Sequence, residues 1–160
     1  MKHHLFTAVA MMTTFKAFLS KYPFSALATC CIVVLCTCLI GEIHLGYTDN
    51  SNCLTRVTYM FAHGNIFHYA CNMIPFIVLS TAVWGTWLYP LCFIVAILAT
   101  FGSEYHIPTV GMSSVCYALL AVHTAIFADI RKRLLALFVI SMTFDMTIGI
   151  VNVQIHILSF

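Results

Sequence analysis

The sequence predicts an all-α membrane protein, a polytopic bundle of transmembrane helices, and three observations carry that expectation. Of the 160 residues, 62% are hydrophobic and 8% charged, and the mean hydropathy of +0.99 is far from the balance of a soluble domain. Apolar runs of about 15 to 20 residues recur between short polar breaks, the length a helix needs to cross a bilayer. They lack the period-2 alternation of an outer-membrane barrel.

Composition also excludes several functions. A formal charge of +2 is too small to point to nucleic acid, and the basic residues cluster in two places rather than along one helix face. Cys30, Cys31, Cys36, Cys38, Cys71, Cys92 and Cys116 fall inside apolar runs, and Cys53 lies in a polar loop. This is the pattern of buried thiols acting as small hydrophobes, not of a disulfide framework. With no Cys-x-x-Cys pair, buried thiols are preferred over a metal site.

Along the chain, residues 1–23 place Lys2, Lys16 and Lys21 among Leu5, Phe6, Val9 and Met12. No small-x-small cleavage site follows cleanly, so an interfacial cytoplasmic segment is expected rather than a signal peptide. Residues 24–160 form the membrane domain. Its first span covers 24–40, and a polar loop with Glu42, His44, Asp49 and Arg56 follows. The second span covers 66–83 and contains Pro75, tolerable where neighbours satisfy the freed carbonyl. Trp84, Trp87 and Tyr89 mark a membrane interface. The third span covers 90–101, before a loop with Glu104 and His106. The fourth runs from 111 to Asp129-Ile-Arg-Lys-Arg133, and the fifth over 134–144, with Asp145 and Gly149 in the turn after it. A sixth begins near residue 151 and is cut short at Phe160, since residues 152–160 span only about 14 Å as a helix.

Charge orients this bundle. Six of the seven basic residues, Lys2, Lys16, Lys21, Arg131, Lys132 and Arg133, lie before the first span or between the fourth and fifth, which the positive-inside rule makes cytoplasmic. The expectation is a multi-pass protein of the plasma (inner) membrane with a cytoplasmic N-terminus. Alternation then brings the starts of the second, fourth and sixth spans together at the opposite surface.

Those three starts carry His68 and Asn72, Ser113, and His156. His68 and Asn72 are four residues apart on one helix face. Together the residues suit acyl transfer: His156 can take the Ser113 proton, while His68, Asn72 and backbone N–H groups near Ser113 donate to an oxyanion. With Asp145 read as a loop residue, a Ser-His dyad fits better than a triad. Each residue also has a plainer reading. A membrane-helix serine commonly packs or bonds its own helix, an asparagine glues helices together, and His123 deeper in the fourth span reads as a packed histidine. Ser114, Ala118, Ala121 and Ala125 form a small-residue stripe that lets another helix approach, and Tyr117 can stack on an imidazole.

Three segments resemble the rhomboid family of intramembrane serine proteases. His63-Gly-Asn-Ile-Phe-His68-Tyr-Ala-Cys-Asn72 resembles its second-span motif, Gly111-Met-Ser113-Ser114-Val-Cys-Tyr117 its Gly-x-Ser-Gly motif with the tyrosine that follows, and Asn152-Val-Gln-Ile-His156 the start of its last span. The family's glycine after the serine is Ser114 here. The resemblance implies six spans, Ser113 as nucleophile and His156 as base. It further implies an oxyanion hole of His68, Asn72 and the Ser113 backbone, with His63 supporting the cavity above. The substrate would be another protein's transmembrane helix within the lipid bilayer, cleaved without metal or cofactor. A catalytically inactive relative that binds transmembrane clients is the competing expectation. A channel or transporter would call for internal repeats and mid-membrane charge, which the chain lacks.

Overall fold

The computed structural model describes residues 24–39, 42–48, 50–103, 106, 108–148 and 152–160, and the expected N-terminal segment 1–23 lies outside them. The described residues fold into helices α1 (Phe24–Leu39), α2 (Glu42–Leu45), α3 (Thr55–Thr58), α4 (Ile66–Val83), α5 (Leu88–Ala99), α6 (Ser113–Ile126), α7 (Arg131–Ile148) and α8 (Val153–Ser159). They contain no strand beyond an isolated antiparallel bridge between Tyr47 and Thr109. Among them, α4 alone is long and apolar enough to cross a membrane by itself. Helices α6 and α7 meet that test only together, across a 108° bend.

Local chemistry explains the helix ends. Asn65, in extended conformation, starts α4 by accepting the His68 amide at 2.8 Å, so a free first-turn donor gains a side-chain partner. Asn152 does the same for α8, accepting the Ile155 amide at 3.2 Å. Pro75 sits within α4 without ending it. At the bend between α6 and α7, Arg131 donates to the carbonyls of Thr124 (2.8 Å) and Ala125 (3.3 Å). The last turn of α6 thereby gains both hydrogen bonds and a favourable charge.

Helix α6 is the central element. Val115 and Leu119 are fully buried in it, and its faces meet α4, α5, α7 and α8. Phe76, Met60, Val83 and Ile155 complete the same core. Against lipid, such side chains hold the helices together by close packing rather than by leaving water. Around it, Ile66, Phe67, Leu98, Ile140 and Phe144 stay exposed, an outward apolar face suited to lipid rather than water.

The expected helices form close to their predicted places, with one correction that matters for the site. The fifth helix does not stop at residue 144. It continues to Ile148, so Asp145 stands on the last turns of α7 and not in a loop. Ser141 and Asp145 are one turn apart on the same face of that helix.

Candidate active site

The chain leading into Ser113 is fixed from several directions. Tyr47 and Thr109 exchange backbone hydrogen bonds of 2.9 and 2.8 Å, and the Gly111 amide donates to the Tyr59 carbonyl at 2.9 Å. The Met112 amide reaches His63 Nε2 at 3.4 Å, and Asn152 Nδ2 donates to Thr109 Oγ1 at 3.0 Å. A further tie holds the preceding segment: Arg56 donates to Thr100 O at 2.7 Å and lies over the rings of Tyr47 and Phe101.

Gly111 turns the chain at φ +114°, a conformation that L side chains avoid. Space makes the same demand. A Cβ at this position would stand 2.8 Å from His68 Nε2 and 2.9 Å from Asn72 Nδ2. The glycine thus lets the chain pass against two polar side chains of α4 just before α6 begins. Asn72 is buried, and its Nδ2 has no hydrogen-bond partner among the described residues. A buried amide donor is seldom left so.

Ser113 opens α6, where backbone N–H groups of the first turn lack helical acceptors. Its Oγ lies 2.7 Å from Nε2 of His156. His156 is 4% exposed on α8, and its other ring nitrogen, Nδ1, lies 2.8 Å from Asp145 Oδ2. The Tyr117 ring, one turn beyond Ser113, faces the imidazole with centroids 4.6 Å apart. The Tyr117 hydroxyl reaches the same Asp145 Oδ2 at 2.8 Å and Ser141 Oγ at 3.0 Å. The dyad expected from the sequence therefore has a carboxylate behind it. Asp145 was legible only as a loop residue because the apolar run fades at Thr143. The usable signal was the polar Ser141/Asp145 pair at helical spacing in an otherwise apolar stretch.

Short as it is, α8 is well held. Leu158 packs against Gly102, where an added Cβ would stand 2.9 Å from Leu158 Cδ1. Phe160 stacks on Phe138 with centroids 3.8 Å apart.

His63 is 2% exposed and sits edge-on to His68, with centroids 5.0 Å apart. Burial, and then the neighbouring His68, push its pKa down to about 3. It is a neutral acceptor for the Met112 amide. Ser114 turns the other way from Ser113: it is fully buried, and its Oγ lies 2.6 Å from Tyr59 OH, which donates to the Ala96 carbonyl at 3.0 Å. His123 donates through Nδ1 to Leu119 O of its own helix at 2.7 Å, a packed histidine as expected.

The structure thus brings Ser113, His156 and Tyr117 together with Asp145, and sets His68, Asn72 and His63 around Gly111 and Met112. A hydroxyl bonded to an imidazole, itself bonded to a carboxylate, can move a proton off the serine as the oxygen attacks an electrophilic carbon. Neither the curated proteins nor the solved structures give a match. A family model described as Rhomboid domain matches residues 50–159, which include every residue of this site. The chain belongs to the rhomboid family.

Proposed function

We propose that the protein is an intramembrane serine endopeptidase that cleaves the transmembrane segments of other membrane proteins. The observation that carries this reading is the 2.7 Å contact between Ser113 Oγ and His156 Nε2. As Oγ bonds to the scissile carbonyl carbon, its proton passes to Nε2, and the carbonyl electron pair moves onto oxygen. The Nε2 proton then goes to the leaving amine nitrogen as the C–N bond breaks. A water oxygen then bonds to the acyl carbon as its proton passes to Nε2, and that proton returns to Oγ as the C–Oγ bond breaks, which frees the acid and restores the serine.

Asn72 Nδ2, the His68 ring and the Ser113 backbone N–H are the donors for the oxyanion, and the buried Asn72 Nδ2, without a hydrogen-bond partner among the described residues, is what supports that assignment. Each such donor contributes on the order of 10²- to 10³-fold in kcat. Rhomboid-family proteins are membrane proteins. The placement we adopt has six spans, a cytoplasmic N-terminus, and residence in the plasma (inner) membrane.

Ser113→Ala and His156→Ala should each abolish cleavage of a single-span reporter in liposomes while the protein stays folded. Cleavage that persists in Ser113→Ala sinks the reading. Labelling of Ser113 by a fluorophosphonate separates the protease from an inactive relative that only binds transmembrane clients, because such a relative does not react.

A further inference from the structure

We propose that Asp145 is a positioning residue for His156, so that His156 takes the Ser113 proton while the carboxylate holds its ring, in a Ser113–His156–Asp145 triad rather than a pair. This rests on the reading of Ser113 as nucleophile and His156 as base. It goes beyond the pair that the family resemblance implies.

The ground is a juxtaposition across three helices. Ser113 on α6, His156 on α8 and Asp145 on α7 are joined by contacts of 2.7 Å and 2.8 Å at the two nitrogens of one ring. A neutral imidazole carries one proton, and an ionised carboxylate only accepts. Facing Asp145, the proton therefore sits on Nδ1, which leaves the Nε2 lone pair for the Ser113 hydroxyl. Without the carboxylate the opposite tautomer fits equally well. Nε2–H would then donate to Ser113 Oγ, and the serine would have no base. Once Nε2 takes the serine proton, the carboxylate also faces the imidazolium, without itself being protonated.

Asp145 is built into place for this. The other charged residues of α7, Arg131, Lys132 and Arg133, are all in its first turn, so Asp145 is alone among apolar and neutral residues. A charge so placed in a membrane helix is costly unless it has partners. Its side chain is 16% exposed. Tyr117 has a single proton to give, and directs it to the Oδ2 that also meets His156. Two donors thus converge on one carboxylate oxygen, and the tyrosine ring that supplies one of them also faces the imidazole.

Two measurements on the full chain test the positioning role. In the unaltered protein, ¹⁵N NMR with labelled histidine should show His156 protonated at Nδ1 and bare at Nε2 near neutral pH. The reverse tautomer overturns the proposal, and this reading needs no activity and no variant. In liposomes, Asp145→Asn should lower kcat on the order of 10²- to 10⁴-fold, while KM moves by less than about threefold and the melting temperature by only a few degrees. It should also shift His156 toward the Nε2–H tautomer. An unchanged kcat with a folded protein overturns the positioning role. A chain that shows the Nδ1–H tautomer yet cleaves nothing and resists fluorophosphonate supports the positioning and refutes the protease reading, so the two ideas fail separately.

Discussion

His63 and His156 both reach the turn that leads into α6, and what differs between them teaches what separates a histidine that props a backbone from one set against a hydroxyl. Both are buried, at 2% and 4% exposure, and both turn Nε2 toward that turn. His63 accepts a backbone amide from Met112, whereas His156 meets the Ser113 hydroxyl. Behind His63, Nδ1 has no hydrogen-bond partner among the described residues, and burial holds the ring neutral. Behind His156 stands a carboxylate. The first histidine is a fixed strut, and the second is equipped to carry a positive charge briefly. The two neighbouring serines repeat the contrast. Ser114 closes a buried contact with Tyr59, while Ser113, only partly buried, bonds an imidazole.

Three substitutions break or sharpen this contrast. Gly111→Ala has the largest expected effect, because it forces a side chain into the positive-φ turn and against His68 and Asn72. Stability should fall by about 1 to 3 kcal/mol, and kcat by at least about 10²-fold as the donors are displaced. Cleavage kinetics and detergent-unfolding curves read both, and an unaltered kcat would mean those side chains do not serve the reaction.

The second concerns the strut. The His63 pKa is about 3 in the folded chain and near 6.5 when unfolded. Between those values the unfolded state takes up a proton that the folded state refuses, so stability is full above pH 6.5 and declines below it. The slope is about 1 kcal/mol per pH unit. In His63→Gln, whose side chain can still accept the Met112 amide, unfolding free energies between pH 7 and 5 should lose that slope. An equal slope in both proteins would assign it to another group.

The smallest effect is expected for Ser114→Ala. It removes one hydrogen bond to Tyr59 at a cost of about 1 kcal/mol, and leaves kcat and KM unaltered. A loss of cleavage would show that both serines, and not one, belong to the chemistry.

Much of this was legible in the sequence, for physical reasons that can be named. Spacing alone puts His68 and Asn72 on one face, and the Gly111-Met-Ser113 motif marks the candidate nucleophile. Hydropathy outlines the helices because each must offer an apolar surface over most of its length. Asp145 escaped because apolar periodicity weakens where a helix turns polar side chains inward, so the residue that interrupts the pattern looks like its end. Tyr59 beside Ser114, and Arg56 across Thr100, join residues far apart in sequence. Neither pairing leaves a local mark.

The hydrogen bond from Asn152 to Thr109 has a mechanical meaning. It pins the segment that leads to Ser113 against the residue that starts the helix of His156, so both side chains share one anchor. Asn152→Ala should therefore loosen the approach to Ser113 and the start of α8 together, although neither Ser113 nor His156 is altered.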